Sequence, residues 1–197
     1  MNQEKKELVT LTIDGQEVSV ERGTTILLAA EKVGISIPHF CYHKDLPWSG
    51  TCRMCHVEVE KSPKLVASCC TEAQNGMVVH TNTEVVRQAR KSILEFLLIN
   101  HPVDCPICDQ AGECYLQNYY MQYGLYESRF RLEDKIKRRK VLPLGEMIIL
   151  DRERCVLCLR CARFCENVSR STALNVQNRG GRTEIATFQD EPIVDGY

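Results

Sequence analysis

His101-Pro102-Val103-Asp104-Cys105-Pro106-Ile107-Cys108-Asp109-Gln110-Ala111-Gly112-Glu113-Cys114 places one histidine and three cysteines on a single short loop. Pro102 and Pro106 fix φ and withhold hydrogen-bond donors, which stiffens a loop able to wrap one soft metal centre. One histidine with three cysteines suits an iron–sulfur cluster, and taken in isolation it also suits structural zinc. The other cysteines repeat the theme on both sides, as Cys41-x10-Cys52-x2-Cys55-x13-Cys69 and Cys155-x2-Cys158-x2-Cys161-x3-Cys165. Of the twelve cysteines only Cys70 stands outside these groups. Three such centres in one chain are expected to carry electrons.

A chain of 197 residues accommodates one domain or a few. The three ligand groups favour several small modules, each organised by its own metal site and needing little core. With 25 basic and 26 acidic residues, no charge excess points to nucleic acid. The start, Met1 to Glu7, is charged and lacks the apolar stretch of a signal peptide. No apolar run approaches the about 18 residues that span a bilayer. The longest candidates, such as Ile93–Ile99, are interrupted by Glu95. A soluble, cytoplasmic chain is therefore expected, and in that reducing setting clustered cysteines read as metal ligands more readily than as disulfides.

The pattern along the chain is α+β. Leu8–Ile13 and Glu17–Val20 alternate apolar and polar positions around Asp14-Gly15, the signature of a β-hairpin. A helix is expected over Ile26–Val33 with Gly34 as its cap, followed by strands at His56–Val59 and Gly76–His80. Thr81-x-x-Glu84 reads as a capping box for a helix to about Asn100, whose buried side includes Val85, Val86, Leu94 and Phe96. Tyr115–Tyr126 is expected to be helical, with Met121 and tyrosines covering a cluster. Lys135–Lys140 reads as a solvated basic face or a docking surface, and Met147–Leu150 as a short strand or extended entry.

In the first ligand group a loop cysteine, a close pair and a distant fourth suit a [2Fe–2S] centre, although the first gap is wider than in plant-type ferredoxins. Cys69 and Cys70 compete for the fourth place; an unused Cys70 is expected to be a small buried hydrophobe. A Rieske centre, hinted at by Cys41-x-His43, fails because Cys52 and Cys55 supply the second pair. His39, His43, His56 and His80 are expected in packing or surface roles. In the third group, three cysteines at two-residue gaps suit a [4Fe–4S] cluster. Cys165 has the spacing of a fourth ligand but precedes Glu166 instead of proline, and no partner triplet accompanies it.

Ile37-Pro38-x-x-Cys41-Tyr42-His43, Gly50-Thr51-Cys52-Arg53-Met54-Cys55, Ala67-Ser68-Cys69, the string from His101 through Cys114 with Leu116-Gln117-Asn118, and Asp151-Arg152-Glu153-Arg154-Cys155-Val156-Leu157-Cys158 together resemble one family. It is the large peripheral iron–sulfur subunit of respiratory complex I, NADH:quinone oxidoreductase, with related chains in NAD-linked hydrogenases. The likeness runs over essentially the whole chain. It implies a β-grasp [2Fe–2S] ferredoxin-like domain at 1–80, a helical one-histidine, three-cysteine [4Fe–4S] domain at 81–143, and an incomplete [4Fe–4S] domain at 144–197. It implies Cys41, Cys52, Cys55 and Cys69 as ligands of the [2Fe–2S] cluster. His101, Cys105, Cys108 and Cys114 would hold the first [4Fe–4S] cluster, and Cys155, Cys158 and Cys161 the second. The family's fourth ligand to that last cluster lies in a Cys-Pro-Val-Gly-Ala-like segment, here expected beyond Tyr197, with local closure by Cys165 as the alternative. On this reading the sequence is part of a longer chain.

The resemblance implies an electron-transfer subunit that receives electrons from a flavin- and NADH-binding partner and passes them toward quinone. Its partners would be the other subunits of the peripheral arm, on the cytoplasmic face of the membrane. The sequence offers no nucleophile, acid–base pair or G-x-G-x-x-G loop, so NADH and flavin are expected on partner chains. An iron–sulfur diaphorase subunit of a hydrogenase or formate dehydrogenase is the alternative within the same chemistry. A zinc-stabilised interaction protein is the alternative outside it, and a redox-sensing regulator lacks a reading helix.

Overall fold

A computed structural model describes residues 7–102, 104–125 and 127–193. The charged start as far as Lys6, Val103 of the ligand loop, and the expected helix end at Tyr126 lie outside the described residues. The chain divides into two compact units, Met1–Phe40 with Trp48–Ile93, and Cys41–Pro47 with Leu94–Tyr197.

The first unit is built on a five-stranded mixed sheet. Strands β1 (Leu8–Ile13) and β2 (Gln16–Glu21) form the expected hairpin, with Val9 opposite Val20 and Leu11 opposite Val18. Period-two alternation sends Val9, Leu11, Ile13, Val18 and Val20 into the core. The two-residue turn needs positive φ at both positions, supplied by Asp14 (48°) and Gly15 (83°). Helix α1 (Ile26–Lys32) starts at Thr25, whose hydroxyl accepts the Leu28 N–H. It ends where Gly34, at φ 76°, lets the Ile35 N–H reach back to the Ala30 carbonyl. Strands β3 (His56–Val59), β4 (Val66–Ala67) and β5 (Val78–His80) complete the order β2-β1-β5-β3-β4. β5 runs parallel to β1 and antiparallel to β3, so the hairpin and the ligand-bearing loops share one sheet.

Helix α2 covers Glu84–Leu98 and departs from expectation in two ways. Its start is capped by Thr83, whose hydroxyl accepts the Val86 N–H; Thr81 instead gives both its N–H (2.7 Å) and its O–H (2.5 Å) to the Asp14 carboxylate. Its buried stripe is Val86, Arg90 and Leu94, while Val85 and Phe96 face solvent. It ends at Leu98, with the Ile99 N–H still bonded to the Glu95 carbonyl, close to the expected end, and the Lys135 ammonium donates to the Leu98 and His101 carbonyls beyond it.

The second unit has short elements and long ordered loops. Helix α3 (Tyr115–Tyr123) stops at Gly124, sooner than expected. Strands β6 (Leu142–Pro143) and β7 (Ile149–Leu150) pair, as do β8 (Asn175–Gln177) and β9 (Glu184–Ala186), a hairpin not expected from the sequence. Between these pairs lies α4 (Arg160–Phe164), continued by a wide π turn over Cys165–Ser169. The buried guanidinium of Arg152 is met by the Asp190 carboxylate and by Glu184 at 3.5 Å, which fastens the hairpin to the loop before Cys155. In the Lys135–Lys140 stretch Lys137, Arg139 and Lys140 are exposed, as a solvated face requires, while Lys135, Arg138 and Lys140 also bond within this unit. Among the described residues no helix is long and apolar enough to cross a membrane.

Candidate iron–sulfur sites

Of the first group, Cys41, Cys55 and Cys69 are fully buried and Cys52 is half-buried. The loop that carries Cys52 and Cys55 turns through positive φ at Gly50 and at Arg53, both 58°. Ser68 gives its hydroxyl (2.8 Å) and its N–H (3.1 Å) to the Cys55 carbonyl, fixing the residue beside Cys69 to Cys55. Cys70 is exposed, which corrects the expectation of a buried hydrophobe. With Cys69 turned inward, the next side chain is left on the outside, where its thiol donates to the Ala67 carbonyl at 3.7 Å. A Cβ at position 50 would lie 2.9 Å from the Cys70 sulfur. Gly50→Ala is therefore expected to destabilise the chain by about 1–2 kcal/mol through left-handed strain, plus a contact penalty. Chemical denaturation of Gly50→Ala with and without Cys70→Ala checks this, and only the contact part should be recovered in the double variant.

The remaining histidines of the first region are engaged locally. His80 meets Glu60 at 3.1 Å, His39 meets the Ile37 carbonyl at 2.9 Å, and His43 accepts the Asp45 N–H. Burial holds the His56 imidazole below its usual pKa, with Arg53 and Arg90 adding to the effect.

The second group is drawn together around one cavity. His101, Cys105, Cys108 and Cys114 all line a hollow of about 570 Å³, walled by apolar side chains that include Leu94, Leu98, Leu116 and Phe130. Each candidate ligand has its own support. His101 follows the end of α2, Cys105 opens a 3-10 turn to Ile107, and Cys114 stands at the N-terminus of α3, where the helix dipole favours a thiolate. Gly112, at φ 84°, makes the turn between Cys108 and Cys114. Burial holds the His101 imidazole below its usual pKa, and the Lys135 ammonium pushes it the same way. The ring is thus neutral near pH 7, the form that ligates metal. Tyr120 faces the cavity as expected, but Met121 and Tyr115 point to solvent. The 3.6-residue period puts Leu116, Tyr120 and Tyr123 on the inner side.

The third group lies on a tightly wound loop. Asp151 accepts the N–H groups of Glu153 (2.9 Å) and Arg154 (3.3 Å), which sets the entry to Cys155. Leu157 and Leu159 both adopt positive φ, at 52° and 60°, alternating with the cysteines. That winding turns backbone N–H groups toward sulfur, and the Leu157 N–H reaches Cys155 Sγ at 3.4 Å. Burial raises the Cys155 thiol pKa, the Leu157 hydrogen bond opposes it, and the nearby Cys158 and Cys161 raise it further. Burial raises the Cys161 thiol pKa, the Ala162 N–H opposes it, and Cys158 and then Cys165, in the π turn, raise it further. The second and third loops are tied together. Lys140 binds Asp104 and, at 3.1 Å, Glu153, while Arg154 reaches the Ile107 carbonyl at 3.5 Å. Among the described residues, no three His, Cys, Asp or Glu side chains surround a single ion-sized point.

These donor sets suit iron–sulfur centres: soft thiolates, one neutral imidazole, N–H groups aimed at sulfur and an apolar cover. Residues 6–84 match a 2Fe-2S iron-sulfur cluster binding domain, and residues 90–129 an NADH-ubiquinone oxidoreductase-G iron-sulfur binding region. Residues 145–196 match the ferredoxin-like domain of NADH-quinone oxidoreductase subunit 3. The G-type subunit of the Rickettsia bellii NADH-quinone oxidoreductase is 45% identical over 94% of this chain, which covers 27% of that protein. Its Mycobacterium tuberculosis counterpart is 47% identical over 95%, covering 23% of it. The mitochondrial NADH-ubiquinone oxidoreductase 78 kDa subunit of Neurospora crassa is 45% identical over 94%, covering 25% of it. The chain thus spans about a quarter of the length of these relatives. A chain in the crystal structure of an NAD+-reducing [NiFe]-hydrogenase is 31% identical, with a TM-score of 0.81 over 91% of this chain and 74% of that one. The chain carries a [2Fe–2S] ferredoxin-like domain and [4Fe–4S] binding regions, and belongs to the family formed by the N-terminal iron–sulfur region of the G-type NADH-quinone oxidoreductase subunits and its hydrogenase counterpart.

Proposed function

We propose that this chain is the iron–sulfur electron-transfer segment of an NADH:quinone oxidoreductase, taking electrons from a flavin- and NADH-binding partner and passing them toward quinone. The observation that carries this reading is the convergence of His101, Cys105, Cys108 and Cys114 on one apolar-walled cavity of about 570 Å³. Iron–sulfur clusters, when bound, supply reversible one-electron redox chemistry. The chain's own residues do the rest. Cys41, Cys52, Cys55 and Cys69 would hold the [2Fe–2S] centre, and Cys69 is favoured over Cys70 because it is the buried one of the two. His101, Cys105, Cys108 and Cys114 would hold one [4Fe–4S] centre, the neutral imidazole keeping its negative charge low. Cys155, Cys158 and Cys161 would hold a further [4Fe–4S] centre, with its fourth ligand beyond Tyr197 and Cys165 as the local alternative. Apolar side chains such as Leu94, Leu98 and Leu116 line the second site, and N–H groups such as that of Leu157 moderate the charge on sulfur.

Three modules, at 1–80 as a β-grasp, 81–143 and 144–197, follow from this assignment, and the three separate family matches support it. Partners would be the other subunits of the peripheral arm, at the cytoplasmic face of the membrane. The larger share covered of the hydrogenase chain favours a second reading, the diaphorase iron–sulfur subunit of an NAD-linked hydrogenase. The catalytic subunit that co-purifies distinguishes the two.

Metal analysis tests the shared part. Anaerobically purified protein is expected to contain iron and acid-labile sulfide in about equal amounts and no stoichiometric zinc. About six irons per chain indicate an external fourth ligand at the third site, and about ten indicate closure by Cys165. Stoichiometric zinc without sulfide overturns electron transfer.

A further inference from the structure

Arg163 lies on α4, two residues after Cys161, and is buried. Its guanidinium links the third ligand group to the backbone around Cys41. It donates through Nη2 to the Cys41 carbonyl, through Nη1 to the Pro47 carbonyl at 2.5 Å, and through Nε to the Leu159 carbonyl at 3.3 Å. Arg160, one turn earlier on the same helix, donates to the Tyr42 carbonyl at 2.6 Å. Two cations from the helix of the third group therefore grip the backbone around Cys41. Among the described residues no carboxylate pairs with either one.

A buried cation is costly unless something compensates its charge, and three carbonyl oxygens satisfy the N–H groups without cancelling the formal charge. Anionic thiolate centres on both sides would do so. A two-iron cluster on four thiolates is a net anion and becomes more negative on reduction. A fixed positive charge beside one of its ligands favours the reduced form and raises the potential.

We propose that Arg163, assisted by Arg160, is a positioning and potential-setting residue: it fixes the Cys41 loop against the helix of Cys161 and stabilises the reduced [2Fe–2S] centre. This deepens the proposed function and rests on its assignment of Cys41 as a ligand. It requires no exchange of atoms, because only the equilibrium of a one-electron couple is shifted.

The test is an EPR-monitored redox titration of the two-iron signal in the anaerobically purified protein. Arg163→Gln removes the charge and keeps part of the hydrogen-bonding capacity. It is expected to shift the reduction equilibrium about tenfold toward the oxidised form, or about 59 mV for one electron. Arg163→Lys keeps the charge and should titrate close to the parent protein. An intact Arg163→Gln signal at the parent potential overturns the proposal, as does an Arg163→Lys shift as large as that of Arg163→Gln. Should Arg163→Gln fail to assemble the centre, Arg160→Gln decides: a smaller shift in the same direction supports the proposal, and an unmoved potential sinks it. Cys41→Ala separates the two layers. If it leaves the two-iron signal unchanged, the ligand assignment has failed, whatever Arg163 does.

Discussion

Replacing Cys108 with alanine is expected to remove about four irons and their sulfide per chain while sparing the two-iron centre. Cys108 lines the cavity that also receives His101, Cys105 and Cys114, and no further cysteine or histidine is among the described residues that line it. The next residue, Asp109, is exposed, and the loop is stiffened by Pro106 on one side and turned by Gly112 on the other. The lost thiolate therefore leaves an open coordination position in an apolar hollow. His101→Cys makes the opposite kind of change. It preserves the number of ligands and replaces a neutral ring by an anion. Iron content should hold, and the potential of that centre should fall by about 59 mV or more, a tenfold shift in a one-electron equilibrium. The Lys135 ammonium, held on the His101 carbonyl at 2.7 Å, remains to offset part of the added charge. Full iron retention in Cys108→Ala would show that this loop binds no cluster through that residue.

The hairpin, the first helix and the ligand loops were legible because their signals are local. Asp14-Gly15 needs only its own backbone preferences to turn, and Cys105-x2-Cys108 needs only chain geometry to put two sulfurs side by side. The long-range choices were not legible. Thr81 has the right spacing from Glu84 for a capping box, yet Asp14, distant in sequence, offers a carboxylate that takes both its N–H and its O–H. A charge-assisted pair of bonds outcompetes a neutral cap, and Thr83 fills the vacancy. Met121 looked like cluster cover by composition, but the helical period of α3 carries it outward. The basic run Lys135–Lys140 has the composition of a surface, and the carbonyls and carboxylates that engage it come from His101, Asp104, Glu153 and Gly181. Arg163 carries no sequence signal at all for its link to Cys41, since the carbonyl it serves is fixed only by the fold.

Arg90 marks where periodicity and chemistry part company, and its removal should have the largest effect on stability. The apolar pattern of α2 predicts an inward stripe that includes Val86 and Leu94, and position 90 lies between them at the same four-residue interval. The residue there is an arginine only 1% exposed, with Nη2 donating to the His56 carbonyl at 3.2 Å. That carbonyl belongs to the residue following Cys55, so the guanidinium braces the exit of the first ligand loop. Arg90→Ala deletes a long side chain from a closed site and strips the carbonyl of this donor. A cavity of that kind costs about 2–5 kcal/mol. A buried acceptor left without its partner adds about 1–3 kcal/mol. With partial collapse of the site, a net loss of about 3–5 kcal/mol is expected, read as a lower urea midpoint for the first unfolding transition. Arg90→Met separates the two parts. It refills the volume without restoring the donor, so it should recover the cavity contribution and leave the hydrogen-bond loss of about 1–3 kcal/mol. If Arg90→Met proved as stable as the parent, the arginine would be a spacer whose charge and hydrogen bond contribute nothing net. The residue would then need to be explained by the electrostatics of the neighbouring thiolates, and the two-iron potential, measured on the same variant, would be where that contribution appears.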